Sequence, residues 1–194
     1  MIGTRLLVVT SLFAASFAAP QLGAGSGREV FTLPLACNAE ALVSQGNGGD
    51  FSHEGRARFA FDLDLPRGTT LTAMADGEVI FARADTKPGD PCWDGGDTNC
   101  FPFANLVVVA HGDGSSTIVK HLDRVDVKKG QRVKRGDVLG VSGSTGFSTG
   151  PHAHVMRQEL CGDADCDSMP LTFFDVGGDG VPDTDEKVHS LGCT

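Results

Sequence analysis

The chain has 194 residues, 40% of them hydrophobic, with 25 acidic against 16 basic side chains and a formal net charge of −9. That length suits one compact domain plus a processing signal. The acidic balance excludes a nucleic-acid partner, whose footprint is a basic patch; the one basic run, "VKKGQRVKRG" at 127–136, is sparse and broken by glycine.

The opening "MIGTRLLVVTSLFAASFAAP" sets one arginine ahead of an apolar run that ends in small residues, the layout of a secretory signal peptide. Ser16 and Ala18 satisfy the small-x-small rule, so residues 1–18 are expected to be removed. The apolar run is shorter than the about 20 residues that span a bilayer, and no membrane span is expected after cleavage. The mature chain then belongs outside the cytoplasm, in the extracellular space or the periplasm.

Residues 19–44 read as an N-terminal lead-in, in which "CNAEALVS" offers the one short helical stretch. From residue 57 to 160 the chain reads as short β-rich segments cut by Gly and Pro. In "RFAFDLDLP", Phe59, Phe61, Leu63 and Leu65 alternate with Ala60, Asp62 and Asp64, the period of a half-buried strand. "LTAMADGEVIFAR", "NLVVVAHGDGSSTIVKHL" and "QRVKRGDVLGVSG" continue the pattern, and "HGDG" between two β-branched runs reads as a hairpin turn. The 26 glycines suit many tight turns. The expected fold is mainly β, a compact antiparallel barrel or sandwich. The insertion "DTKPGDPCWDGGDTNCFPF" at 85–103 is expected to wall a cleft.

Six cysteines in an exported chain point to three disulfides. Cys92 with Cys100 and Cys161 with Cys166 bracket short loops, and Cys37 with Cys193 would tie the ends. Thiolate ligation of zinc is disfavoured, because no C-x-x-C pair is present.

The chemistry centres on "STGPHAHVM" at 148–156. In an extended strand, residues i and i+2 face the same way, so His152 and His154 share a side. His53 lies in a turn-rich stretch, Asp62 on the polar face of the strand after it, and His121 at the end of a β-branched run. A hydrolytic zinc site needs about three His or carboxylate ligands with an open position for water. It also needs a group to move the proton of that water. These five residues could supply both.

"FSHEGRARFAFDLDLPRGTTLTAMADGEV" and "VVVAHGDGSSTIVKHLDRVDVKKGQRVKRGDVLGVSGSTGFSTGPHAHV" together resemble the lysostaphin/LytM-type zinc endopeptidases, peptidase family M23, over residues 45–160. The resemblance implies one Zn2+ held by His53, Asp62 and His154, with His121 and His152 as the two active-site histidines that are not ligands. It implies a small antiparallel β domain with an open groove, and cleavage of peptide bonds in bacterial peptidoglycan. One of His121 and His152 would take the proton of the attacking water and the other would steady the oxyanion. Two features depart from the family pattern. His53 and Asp62 stand nine residues apart where H-x-x-x-D is the familiar spacing, which leaves Asp64 as a fallback ligand. The chain also has no tyrosine, and Val119 occupies the place two residues before His121 where relatives often carry one.

His111 and His189 read as structural. "DVGGDGVPDTDE" at 175–186 misses the spacing of an EF-hand loop and reads as an acidic solvated turn. "GQRVKRGDVLGVSG" lacks the modifiable lysine of a carrier hairpin. The expected organisation is a signal at 1–18, a lead-in at 19–44, a peptidase core at 45–160 and a disulfide-bearing C-terminal extension at 161–194. The expected activity is that of a monomeric, secreted zinc metalloendopeptidase acting on peptidoglycan cross-links or stem peptides. Two alternatives stand beside it: an inactive relative that binds cell wall or activates another hydrolase, and a protease of Gly-rich proteins.

Overall fold

The computed structural model describes residues 29–191. The expected signal segment at 1–18 and Cys193, with its expected pairing to Cys37, lie outside the described residues.

The strands in chain order are β1 (Glu40–Gln45), β2 (Phe61–Asp64), β3 (Thr70–Thr72), β4 (Gly77–Arg83), β5 (Leu106–Ala110), β6 (Ser115–Lys120), β7 (Leu122–Val125), β8 (Arg132–Val133), β9 (Val138–Ser142), β10 (His152–Glu159), β11 (Ser168–Met169) and β12 (Lys187–His189). The larger sheet runs β12-β1-β2-β10-β6-β5-β4-β8, with β11 added to β10, and a smaller sheet runs β3-β9-β7. Neighbouring strands are antiparallel throughout both sheets. The expected antiparallel β architecture is the one that forms. The "HGDG" turn closes the β5–β6 hairpin, with Val108 opposite Ile118.

One local expectation is corrected. The stretch "CNAEALVS" does not make a helix; Glu40–Gln45 is a strand. So short a helix is marginal by itself, whereas here the backbone finds ladder partners on both edges, β2 and β12. Ala41 and Val43 turn inward while Glu40 and Ser44 stay exposed, a period of two that tertiary pairing selects over the helical one.

The main core gathers Val43, Phe61, Leu63, Leu71, Val107 and Val155, and it does not stop at residues 45–160. Phe31, Leu33 and Leu35 enter it from the lead-in, and Leu171, Phe173 and Val188 from the C-terminal stretch. Phe61 meets Phe173 edge-on, ring centroids 5.4 Å apart. Phe61→Ala is expected to cost about 3–5 kcal/mol of stability, read from the denaturant midpoint. A loss below about 1 kcal/mol would place the ring outside the cooperative core.

The acidic tail serves the same closure. Asp175 accepts hydrogen bonds from the Leu33 N–H at 2.9 Å and from the Ser190 hydroxyl at 3.2 Å, so it joins the two ends of the described chain. His111 is also absorbed structurally. Its Nδ1 donates to the Asp76 carbonyl at 2.8 Å, its Nε2 accepts from the Thr117 hydroxyl at 2.9 Å, and the ring packs edge-on against Phe31. Burial pushes its pKa down, as befits a neutral ring held in a wall.

Two staples shape the surface over the sheet. Cys92 bonds to Cys100 and Cys161 to Cys166, as expected from their spacing. The first stabilises the 85–103 insertion, which a short bridge pins to the loop before β10 through Gly96 and Ser148. Gly95 makes that approach practicable. Its φ is +89°, and a Cβ there would lie 2.4 Å from the Ser148 carbonyl oxygen.

Candidate metal centre

Strand register assembles the first two members of the site. Asp62 in β2 lies directly opposite His154 in β10, and Asp64 lies opposite His152. Antiparallel partners project to the same face, so the H-x-H pair and the aspartate meet across one sheet. His53 arrives differently. The turn after β1 folds back on itself, the His53 N–H donating to the Gly49 carbonyl at 3.1 Å, and delivers a fully buried ring to the same spot.

One carboxylate oxygen is the focus. Asp62 Oδ1 lies 2.9 Å from His154 Nδ1, 3.1 Å from His53 Nε2 and 3.8 Å from His152 Nε2. Burial alone would raise the Asp62 carboxyl; the hydrogen bond from His154, with the His152 imidazole beyond it, outweighs that and holds it far below the usual carboxylate range. The group is therefore an anion with two imidazoles pressed onto it. Ligand atoms of His53, Asp62 and His154 all lie within 4.8 Å of one another, the one such group of His, Cys, Asp or Glu side chains among the described residues.

The tautomer of His53 decides what this cluster suits. Its Nδ1 is 2.8 Å from the Gly46 carbonyl oxygen, which can only accept, so the ring proton resides there. That leaves Nε2 with a bare lone pair aimed at a carboxylate oxygen. The separation is that of a hydrogen bond, yet Nε2 is buried with no hydrogen-bond partner. Two acceptors held face to face in a buried site are relieved by a cation between them. Two imidazole nitrogens and one carboxylate oxygen are a donor set of the catalytic zinc type, and a ligating histidine whose other N–H donates to a backbone carbonyl is the usual supporting arrangement. The residues present fit a divalent metal.

His121 and His152 stand beside this cluster with ring centroids 4.5 Å apart. His152 Nδ1 donates to the Gly150 carbonyl at 2.8 Å, and His121 Nδ1 to the Thr145 carbonyl at 2.7 Å. In both rings the proton is committed to the backbone and Nε2 is left as the acceptor. Burial, followed by the neighbouring imidazoles of His152 and His154, pushes the His121 pKa well down, so this ring is a neutral base. Its backbone is left-handed, with φ +69°, an uncommon conformation for a residue with a side chain and one that gathers at functional sites. A polar network holds its carbonyl partner: the Asn105 N–H donates to Thr145 Oγ1, which donates to the Leu122 carbonyl, and Asn105 Nδ2 donates to that same carbonyl.

Asp64, the fallback ligand, is exposed and stands outside the three-residue group. Val119 is 1% exposed, so the place where relatives often carry tyrosine is filled here by a core side chain. The cluster opens into a groove of about 840 Å3. Phe51 and Phe147 stack at one margin with centroids 5.9 Å apart. At the other, Lys120 pairs with Asp165 and lies over the Phe101 ring. The 85–103 insertion thus borders the groove as expected, through Phe101, and the Cys161–Cys166 loop does so through Asp165. Lys120, Asp165 and the Phe51–Phe147 pair escaped sequence reasoning, because none carries a motif or a periodicity that marks a groove.

The model of peptidase family M23 matches residues 56–165. The chain belongs to that family. The matched stretch contains Asp62, His121, His152 and His154, while His53 precedes it. The M23 chain is 38% identical over 93 residues to peptidoglycan DD-endopeptidase ShyA of Vibrio cholerae, which covers 48% of this chain and 18% of that protein. It is 30% identical over 139 residues to glycyl-glycine endopeptidase ALE-1 of Staphylococcus capitis, covering 71% and 33% respectively. A crystal structure of a zinc-containing peptidase from Vibrio cholerae superposes with a TM-score of 0.51 at 27% identity, over 74% of this chain and 40% of that one. In each case the M23 chain spans well under two thirds of the relative's length. No helix among the described residues is long and apolar enough to cross a membrane.

Proposed function

We propose that this M23 chain is a secreted zinc metalloendopeptidase that hydrolyses peptide bonds in bacterial peptidoglycan, in its cross-links or stem peptides. The observation that carries the reading is the bare, buried His53 Nε2 facing Asp62 Oδ1 beside His154 Nδ1, with two further imidazoles adjacent and a groove in front. His53, Asp62 and His154 would hold one zinc ion. When bound, the ion supplies Lewis-acid polarisation of the scissile carbonyl and lowers the pKa of water from 15.7 to about 7.

The remaining steps belong to the side chains. The neutral His121 and the adjacent His152 each commit Nδ1 to a backbone carbonyl and keep Nε2 available, so either can take the proton of the attacking water. Once protonated, an imidazolium donates to the oxygen on which charge develops or returns the proton to the leaving amine. The stapled margins of the groove, carrying Phe101 and Asp165, would line a bound peptide beside the cluster. Support for a peptidoglycan substrate comes from the named activities of the relatives, and support for export from the sequence at 1–18 together with two disulfides. The complete set of ligand and proton-transfer side chains favours an enzyme over an inactive wall-binding relative.

The test is a digest of purified peptidoglycan by the zinc-loaded protein, with and without a chelator, new amino termini being read by mass spectrometry. New termini that vanish with chelator and return with zinc are expected. Zinc-loaded protein that releases none would sink the peptidoglycan reading.

A further inference from the structure

Three ligand side chains do not by themselves make a preassembled site, because a carboxylate can rotate and offer a metal one oxygen or both. In this chain Asp62 is held from behind. Its Oδ2, the oxygen turned away from the histidines, accepts a hydrogen bond from Gln45 Nε2 at 3.1 Å. The same amide nitrogen donates to Ser52 Oγ at 2.8 Å, and Gln45 Oε1 accepts from the Phe51 and Ser52 N–H groups at 3.1 and 3.3 Å. Two donors and two lone pairs are all that a glutamine side chain has, and all four are engaged. The next residue completes the grip, for it is the Gly46 carbonyl that takes the His53 Nδ1 proton.

Backbone structure aims this side chain. Gln45 is the cross-strand partner of Asp62, and the β1–β2 register shifts between Val43 and Gln45. Such bulges re-aim a side chain at a strand end. The turn leaves room for it as well. A Cβ on Gly49 would lie 2.3 Å from Gln45 Cγ and 2.9 Å from its Cδ, so the residue at 49 must lack a side chain for the amide to sit where it does. The left-handed region plays no part at this glycine, since its φ is outside it; the need is for space.

We propose that Gln45 is a positioning residue of the metal centre. It engages Asp62 Oδ2, presents Oδ1 alone to the ion, and ties the carboxylate to the turn that carries His53. Gly49 is part of the same device. The inference rests on the reading of His53, Asp62 and His154 as ligands, and it concerns affinity for metal, independent of which substrate is cut.

The experiment measures zinc affinity of the whole chain by competition with a chromophoric chelator, for the unaltered protein, Gln45→Met and Gly49→Ala. The visible spectrum of the Co2+-loaded forms and the thermal midpoint of the metal-free forms are recorded alongside. Loss of a partner that orients a ligand typically weakens metal binding about 10–100-fold, and that loss is expected in both variants. A changed Co2+ spectrum is expected with it, because Asp62 freed to rotate alters the coordination. The metal-free midpoints establish that each variant is folded at the temperature of the titration. Gly49→Ala keeps every polar atom of Gln45 and only displaces it, so it carries the test if Gln45→Met fails to fold. Zinc affinity within twofold of the unaltered chain in the folded variants, or an unchanged Co2+ spectrum, would overturn the proposal. Failure of the unaltered chain to bind zinc would overturn the metal-centre reading itself.

Discussion

Asp62→Ala is expected to abolish turnover and to strip the protein of zinc at concentrations where the unaltered chain is saturated. The argument is geometric. Asp62 Oδ1 is the atom on which His53 Nε2 and His154 Nδ1 converge, so its removal leaves two neutral nitrogens and no anion to balance a divalent charge. The loss of affinity should exceed the about 10–100-fold that follows removal of a supporting partner. Asp62→Asn keeps the shape but not the charge and should fall between the unaltered chain and the alanine variant. Asp64→Ala is the control. It stands opposite His152 in the register but outside the ligand group, and its zinc affinity should be unchanged. The measurement is zinc content after dialysis at a fixed free-metal concentration, paired with the peptidoglycan digest. Full zinc in Asp62→Ala, or its loss in Asp64→Ala alone, would move the ligand role to Asp64.

His121→Ala should show the opposite combination, with zinc retained and turnover lowered about 10²–10⁴-fold, the usual contribution of a positioned acid or base. The ring faces the cluster without belonging to the ligand group. Its centroid is 4.5 Å from that of His152 and 6.1 Å from that of His154, and its Nδ1 is spent on the Thr145 carbonyl. Backbone strain complicates the choice of substitution. The left-handed φ at this residue is less favourable for alanine than for histidine or asparagine, both of which occupy that region more often than most side chains. His121→Asn is therefore the companion variant: it should fold at least as well and be as inactive, which separates lost chemistry from lost stability. His152→Ala is expected to behave like His121→Ala. Turnover within tenfold of the unaltered chain in both His121 variants would remove that ring from the reaction.

Strand periodicity made the Asp62, His152 and His154 part of this site legible in the sequence, whereas His53 and His121 were placed in it by the resemblance to family M23. The alternation in "RFAFDLDLP" put Asp62 on a face away from Phe61 and Leu63, and those two side chains are indeed fully buried. The period of two in His152-Ala153-His154 placed both rings on one side, with Ala153 in the core. Loop-length arithmetic on cysteines anticipated Cys92–Cys100 and Cys161–Cys166. Local pattern misled at "CNAEALVS", where apolar spacing compatible with a short helix was overridden by β2 and β12 pairing on either side.

Residue types and their alternation, read from the chain alone, determined the β class and the two short-loop staples, because side-chain periodicity and loop closure are properties of neighbouring residues; the division of His53, Asp62, His121, His152 and His154 between metal and proton came from the resemblance to family M23. Which of them meet was decided only in three dimensions. The register of β2 against β10 sets Asp62 opposite His154, the folded turn brings His53 to the same oxygen, and the Gly46, Thr145 and Gly150 carbonyls choose the tautomer of each ring. Gln45 and Gly49 belong to that second category too. A hydrogen bond depends on angstrom-scale distances between segments far apart in the chain, and no period in the sequence encodes them.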